Sequence, residues 1–312
     1  MPTVISVINY KGGVGKTTVT SNLAAELAFN GLNVLLIDLD PQTNLTFSFL
    51  KVDEWEQQFQ DKTIKMWFDA FIDNDQDLNL EDLIISPTRV NTRLRQLGAS
   101  GSIDLISSHL GLINVDLELS AKLWGASERT NRRNFLKVHS RLKEGLKQLN
   151  EKDYDCVIID CPPNFNVVTK TAIVTSDYLL VPAKPDYLST IGIEQLTKNV
   201  NELVEEYNSK TQYDEVKNEF TPISPKFEGV IFTMVGIRYG VPYSAQQQFI
   251  SQVERLNIPI METIIRENKT IYADAPESGV PVVLEDVKAE TYQNVRSELE
   301  ELTKEVRVRV GV

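Results

Sequence analysis

The chain has 312 residues, of which 42% are apolar and 24% charged, and its formal net charge is −12. That length allows one large α/β domain or two ordinary ones, while the acidic balance speaks against a surface coated in positive charge, so any nucleic-acid contact needs a local basic face. No stretch approaches the ~20 uninterrupted apolar residues of a bilayer span, the start MPTV lacks the parts of a secretory signal, and Cys156 and Cys161 lack disulfide-framework or metal-site spacing; a cytoplasmic protein with two buried thiols is expected.

In chain order, an opening strand of ten residues is expected, with an apolar run at 4–7, leading into a glycine-rich loop. Residues 17–29 carry Val19, Leu23, Ala24, Leu27 and Ala28 at helical spacing, Gly31 ends that helix, and 34–37 is a continuous apolar run stopped by Asp38. Residues 51–96 are more polar, with Trp55 and the patch Met66-Trp67-Phe68, and read as helices with a less regular excursion at the edge of the core. A strand follows at 102–107, one or two helices at 118–152, and strands at 157–159, ending in Asp160, and at 179–181, before Pro182. Then come a helix at 191–207, a strand at 227–233, a helix at 243–255, a short edge element at 258–260 with 264–265, and a last helix at 289–304. Residues 208–225 come nearest to a linker, yet the alternation continues past them. Uninterrupted apolar strands suit a sheet covered on both faces. The expected fold is therefore α/β, a mostly parallel twisted sheet flanked by helices on both faces, in one domain over 1–312 with an excursion at 51–86.

The loop Tyr10-Lys11-Gly12-Gly13-Val14-Gly15-Lys16-Thr17-Thr18 stands between the first strand and the first helix. Glycines there let backbone N–H groups turn toward phosphate oxygens, and the helix start adds positive potential. Lys16 is placed to reach β and γ phosphates, and the Thr17 hydroxyl to hold Mg²⁺. The ordinary motif has glycine where Tyr10 stands, and a second lysine, Lys11, occupies the loop front. Asp38 and Asp40 follow one apolar strand and Asp160 follows another, where ligands of α/β sheets gather. Taken singly, each aspartate also reads as a strand-ending turn residue or a helix cap.

Together, KGGVGKTT with Lys11, VLLIDLDPQTN and VIIDCPP resemble the ParA/MinD family of deviant Walker-type P-loop ATPases, most of all its ParA/Soj partition branch. The resemblance continues through IFTM with Arg238, TIIREN and the closing PVVLEDVKAETYQNVRSELEEL, and leaves out roughly 51–86. It implies ATP and Mg²⁺ as ligands, slow ATP hydrolysis and a face-to-face homodimer in the ATP state. In that dimer Lys11 crosses to the partner's phosphates, as an arginine finger does elsewhere, and Lys16 grips those of its own subunit. Asp40 matches the residue that positions or activates the attacking water. Asp38 and Asp160 match carboxylates around Mg²⁺. By the same analogy Thr233, Met234 and the stretch after Pro259 border the adenine.

The resemblance also implies that the ATP dimer binds double-stranded DNA without sequence preference, that a ParB-type partner stimulates turnover, and that the protein sits on the nucleoid when ATP-bound. Between 129 and 147 stand Arg129, Arg132, Arg133, Lys137, Arg141, Lys143 and Lys147 against Glu144 alone. Arg129, Arg133, Lys137 and Arg141 recur every fourth residue and are expected on one helix face, either for DNA or simply as a solvated face. Arg238, Arg266, Lys269, Arg296, Arg307 and Arg309 are the other candidates for DNA contact. Two further readings are a protein cargo positioned on the nucleoid and a MinD-like membrane ATPase. The latter needs a terminal amphipathic helix, whereas the alternation in Val306-Arg307-Val308-Arg309-Val310 predicts a short strand. A cluster-bearing reductase lacks its bridging cysteines, and a P-loop starting at residue 10 leaves no room for an amino-terminal DNA module. The 51–86 segment is a candidate for partner recognition or ordinary surface filling.

Overall fold

The computed structural model describes residues 2–74, 78–149 and 154–312. The opening strand β1 is Thr3–Val7, shorter than expected, because the chain leaves the sheet to form the glycine loop. Helix α1 (Lys16–Phe29) leads to β2 (Asn33–Asp38), followed by α2 (Asn44–Phe49), α3 (Val52–Gln58), α4 (Ile64–Asn74) and α5 (Thr88–Gln96). Strand β3 (Ser102–Ile106) precedes three helices, α6 (Leu112–Lys122), α7 (Glu128–His139) and α8 (Arg141–Leu146). The end of the stretch expected to be helical, 150–152, lies outside the described residues. Strand β4 (Cys156–Asp160), α9 (Val167–Thr175), β5 (Tyr178–Ala183), α10 (Tyr187–Thr211) and β6 (Lys226–Phe232) complete the alternation. A two-strand hairpin of β7 (Ile237–Arg238) and β8 (Val241–Pro242), then α11 (Ser244–Glu254), α12 (Lys269–Ser278) and α13 (Glu290–Val310), close the chain.

The main sheet has six strands in the order β3-β2-β4-β1-β5-β6, and every pairing in it is parallel. Alternate residues feed opposite faces, as a pleated strand requires. Ile5, Val7, Val34, Leu36 and Ile158 join the core under α1 and α13, whereas Val4, Leu35, Ile37, Val157 and Ile159 join that under α4 and α6–α10. The expected edge element beyond β6 is present only as isolated parallel bridges, Val230 with Ile260 and Val235 with Arg266.

Three expectations are corrected. Residues 306–310 are helical, not a strand. Their apolar positions continue a 3.6-residue stripe through Val295, Leu299, Leu302, Val306 and Val310, which is buried in the core shared with α1. The stretch around Trp67 is no surface filling, since Trp67 and Phe68 on α4 are fully buried in the main core. Of the four basic residues expected on one helix face, Arg129, Arg133 and Lys137 do lie exposed at every fourth position of α7, but Arg141 does not join them, because the chain breaks between α7 and α8 at Ser140. Arg132 there pairs with Glu215 and lies over the Tyr213 ring, Arg133 pairs with Glu219, Lys147 pairs with Glu144, and the Arg141 guanidinium lies over Trp67. No helix among the described residues is long and apolar enough to cross a membrane.

His139, at the end of α7, is 1% exposed. Its Nδ1 donates to the Phe135 carbonyl at 2.8 Å, and its Nε2 has no hydrogen-bond partner among the described residues. Burial, with Lys170 and Lys210 adding to it, depresses the imidazole to about 4. The unfolded chain then binds a proton that the folded one does not, so stability is full above the ordinary value of about 6.5 and falls as pH drops from there toward 4. Urea unfolding at pH 7 and pH 4 should show the wild type losing about 3 kcal/mol more than His139→Leu over that interval. Equal losses would remove His139 as the cause.

Candidate functional site

The loop leaves β1 at the carboxyl edge of the sheet, between strands whose connections run to opposite sides, where α/β sheets open a crevice. Gly13 and Gly15 take positive φ, 66° and 82°, a conformation that a side chain would strain. Gly15 precedes α1, which starts without a side-chain cap, so its first N–H groups are free to meet an anion. Two residues pin the loop from outside. Asn9 accepts from Lys11 N at 2.9 Å and donates to Pro182 O at 2.7 Å, and the Thr233 hydroxyl reaches Val14 O at 2.7 Å and Ala183 O at 3.3 Å.

The loop forms one wall of a cavity of about 500 Å³, whose other walls include Asp40, Gln42, Phe47, Pro163 and Tyr272. Lys16 lies on this wall and is 7% exposed. Its Nζ reaches Asn9 O at 3.4 Å and Lys11 O at 3.3 Å. Burial pulls its pKa down, and the nearby Asp160 and Asp40 carboxylates oppose that shift. Lys11 is absent from the wall of this cavity. Its ammonium instead meets Asp186 Oδ2 at 2.6 Å, and Asp186 caps α10 by accepting from Ser189 N at 2.8 Å.

The three aspartates come to one edge but differ in setting. Asp38 and Asp160 stand opposite one another in the register of β2 and β4. Burial, reinforced by the Asp160 carboxylate, pushes Asp38 up to about 8, and burial pushes Asp160 up to about 7 against the pull of Thr17 and Lys16. Asp160 accepts from the Thr17 hydroxyl at 2.7 Å, leaving the lone pairs of that oxygen for the cavity. Asp38 is otherwise engaged. It accepts from Asp40 N at 3.0 Å, Thr46 N at 2.8 Å and the Thr46 hydroxyl at 2.7 Å, so it fastens the turn that carries Asp40 and does not line the cavity. Thr46 and Ser108 complete that fastening, with Ser108 donating to Thr46 Oγ1 and to the Asp40 carbonyl; as ordinary polar residues they carried no sequence signal.

A second cavity of about 310 Å³ adjoins the first, with Gly15, Thr18, Met234 and Tyr272 common to both. Thr233 and Met234, expected to border the adenine, line it, and so do Arg266 and Lys269, expected on a DNA face. Pro259 does not. It is exposed, and its carbonyl accepts from Val230 N at 2.8 Å along the sheet edge. Arg266 is held by Glu298 at 2.7 Å, and Arg296 by Glu300 at 2.7 Å. Arg238 is exposed on the β7–β8 hairpin, while Arg309 is tied to Glu305 and to the Ile260 carbonyl.

The donor set suits a magnesium ion completed by phosphates and water. No group of three His, Cys, Asp or Glu side chains capable of holding a metal exists among the described residues. Thr17 with Asp160 behind it is, however, the kind of sparse protein contribution that a phosphate-bound magnesium takes.

A family model described as an AAA domain matches residues 2–213. The sporulation initiation inhibitor protein Soj of Bacillus subtilis is 28% identical over 303 residues, covering 96% of this chain and 98% of Soj. The chain belongs to the ParA/MinD family of deviant Walker P-loop ATPases. Within it the chain lies close to the ParA/Soj branch: the chromosome partitioning protein ParA of Myxococcus xanthus is 29% identical, covering 92% of this chain and 82% of that one. The likeness in fold extends to the McdA–ATP complex of Cyanothece, with a TM-score of 0.70 at 20% identity and coverage of 100% of this chain and 97% of that one. ATP hydrolysis is the activity this family membership supports.

Proposed function

We propose that the protein is an ATP-dependent DNA-partitioning ATPase, a switch whose ATP-bound face-to-face dimer holds double-stranded DNA without sequence preference and releases it on hydrolysis stimulated by a ParB-type partner. The observation that carries this reading is the division of labour between two lysines of one loop. Lys16 lines its own cavity, whereas the Lys11 ammonium is directed away from it toward Asp186. A loop lysine that does not serve its own phosphate site is suited to the phosphates of a second copy, where it neutralises charge developing on the transferring group.

In this reading the N–H groups of 12–18 and Lys16 cradle the triphosphate, Thr17 backed by Asp160 holds Mg²⁺, and Asp40 orients the attacking water. The magnesium ion, when bound, supplies charge neutralisation on the phosphate oxygens. Asp38 acts at one remove, by holding the Asp40 turn. Arg238, exposed on the hairpin, and Lys269, exposed and paired with Glu267 only at 3.6 Å, are favoured as phosphate contacts on DNA over the half-buried Arg266 and Arg296, each held by a glutamate at 2.7 Å. The burial of the α13 apolar stripe within the core favours DNA over a bilayer as the surface engaged. The expected location is the cytoplasm, on the nucleoid in the ATP state.

Titrating fluorescent duplex DNA of arbitrary sequence with the protein, in ATP, ADP or no nucleotide and at two salt concentrations, tests the reading. Binding is expected with ATP alone and should weaken steeply at the higher salt, as counterion release requires. Lys11→Ala should still bind nucleotide and fail to bind DNA. Binding without ATP, or none with it, overturns the proposal.

A further inference from the structure

We infer that Arg89 and Arg93 are positioning residues for the nucleotide, acting through the segment that links α12 to α13. The inference rests on the triphosphate reading of the loop and goes beyond it, to residues that set ATP affinity without touching ATP. The segment leaves α12 at Gly279, whose φ is 67°, and runs through Pro281 and a single 3-10 turn at Val282–Leu284. Pro281 and Val282 form part of the wall of the first cavity. Between 279 and 289 the chain has little regular structure, and Pro281 has no N–H to give. Buried carbonyls in such a stretch need donors from elsewhere.

Helix α5 supplies them. Arg93 Nε donates to the Leu284 carbonyl at 2.8 Å. Arg89 Nη1 donates to the last carbonyls of α12, those of Ser278 at 3.2 Å and Glu277 at 3.3 Å, as a basic residue at a helix C-terminus does. Arg89 and Arg93 stand one helical turn apart on the same side of α5, so they grip the segment on both sides of the residues that wall the cavity. Arg89 comes so close that a side chain at Gly279 would stand 3.0 Å from its Cδ. Neither guanidinium has a carboxylate partner among the described residues, and both spend their donors on main-chain carbonyls. The helix that carries them is itself fixed. Val90 and Leu94 are fully buried, and Asn91 exchanges hydrogen bonds of 2.7 and 2.9 Å with Ile103 on β3. From the other side Asn22 of α1, on the cavity wall, accepts from Val283 N at 3.1 Å. The segment is thus clamped between α5, tied to the edge strand, and the helix that follows the phosphate loop.

Calorimetric titration of ATP into the full chain and into Arg89→Gln, Arg93→Gln and Arg93→Lys tests this. Losing a charge-assisted bond lowers the fraction of molecules with the wall in place, and apparent affinity falls with that fraction. The dissociation constant should rise about tenfold in Arg93→Gln and about threefold in Arg89→Gln, whose bonds are longer. Arg93→Lys keeps a cationic donor and should recover most of the loss. Turnover at saturating ATP should stay within about twofold of the wild type, since what is lost is binding common to ground and transition states. Amide exchange at Val283 should quicken in ligand-free Arg93→Gln and slow again with ATP. Unchanged ATP affinity in both glutamine variants, or a saturated turnover that falls as far as the affinity does, overturns the inference. If the wild type binds no ATP, the triphosphate reading itself fails and takes the inference with it.

Discussion

Replacing Asp40 with alanine should lower ATP turnover about a hundredfold or more while changing ATP affinity by no more than a few-fold, since a positioned general base contributes factors of about 10²–10⁴. Asp40 is 7% exposed, lies on the cavity wall, and has its Oδ1 held by Gln42 N at 2.9 Å. Burial raises its pKa, and the Gln42 N–H and Lys16 oppose that rise. The carboxylate is thus fixed in direction and made more basic, as suits a group that must orient and partly deprotonate water. Its backbone is anchored by Asp38, Thr46 and Ser108, so deleting the side chain leaves the turn in place. Phosphate release under saturating ATP measures the first quantity and titration calorimetry the second. The variant should also stay on DNA after ATP is added. Unchanged turnover removes Asp40 from the chemistry.

Lys16→Ala acts one step earlier. The ammonium is the positive group set among Asp160 and Asp40 at the cavity wall, and its loss takes away both a ligand for the phosphates and the counter-charge of those carboxylates. Truncating one member of a desolvated charge pair costs about 3 kcal/mol, so ATP affinity should drop about a hundredfold. Thermal melting with and without ATP reads this directly, because a ligand that binds only the folded state raises the midpoint. The wild type should shift upward at millimolar ATP and the variant should not. A variant that still shifts shows that the backbone cradle alone holds the triphosphate.

The phosphate loop is legible in the sequence because its demands are local. Glycine at 13 and 15 answers a local backbone demand, positive φ, and the strand before and helix after it are set by short-range periodicity. The same holds for the strands, whose unbroken apolar runs require helices on both faces. Side-chain assignments that depend on distant partners fared differently. Asp38 and Asp160 look alike in sequence, each ending an apolar strand, yet one is enclosed by Thr46 and the other backs Thr17. The basic residues at 129–147 read as a positive face until Glu215 and Glu219, more than eighty positions away, are brought against Arg132 and Arg133.

By itself the sequence determined the alternating parallel fold, the phosphate loop and the strand-end aspartates, because each follows from hydrophobic period or backbone strain within a dozen or so residues. Only the tertiary structure decided that Lys11 turns to Asp186, that Arg266 and Lys269 border the second cavity, and that Tyr272 joins the two cavities. The stripe of α13 shows where the two levels meet. Val306, Val308 and Val310 alternate as a strand would, but burial of Val306 and Val310 in the core shared with α1, with Val308 left exposed, selects the helical period that is also present in the same residues. Charge pairing and burial depend on what the fold places opposite a residue, and no local pattern records it.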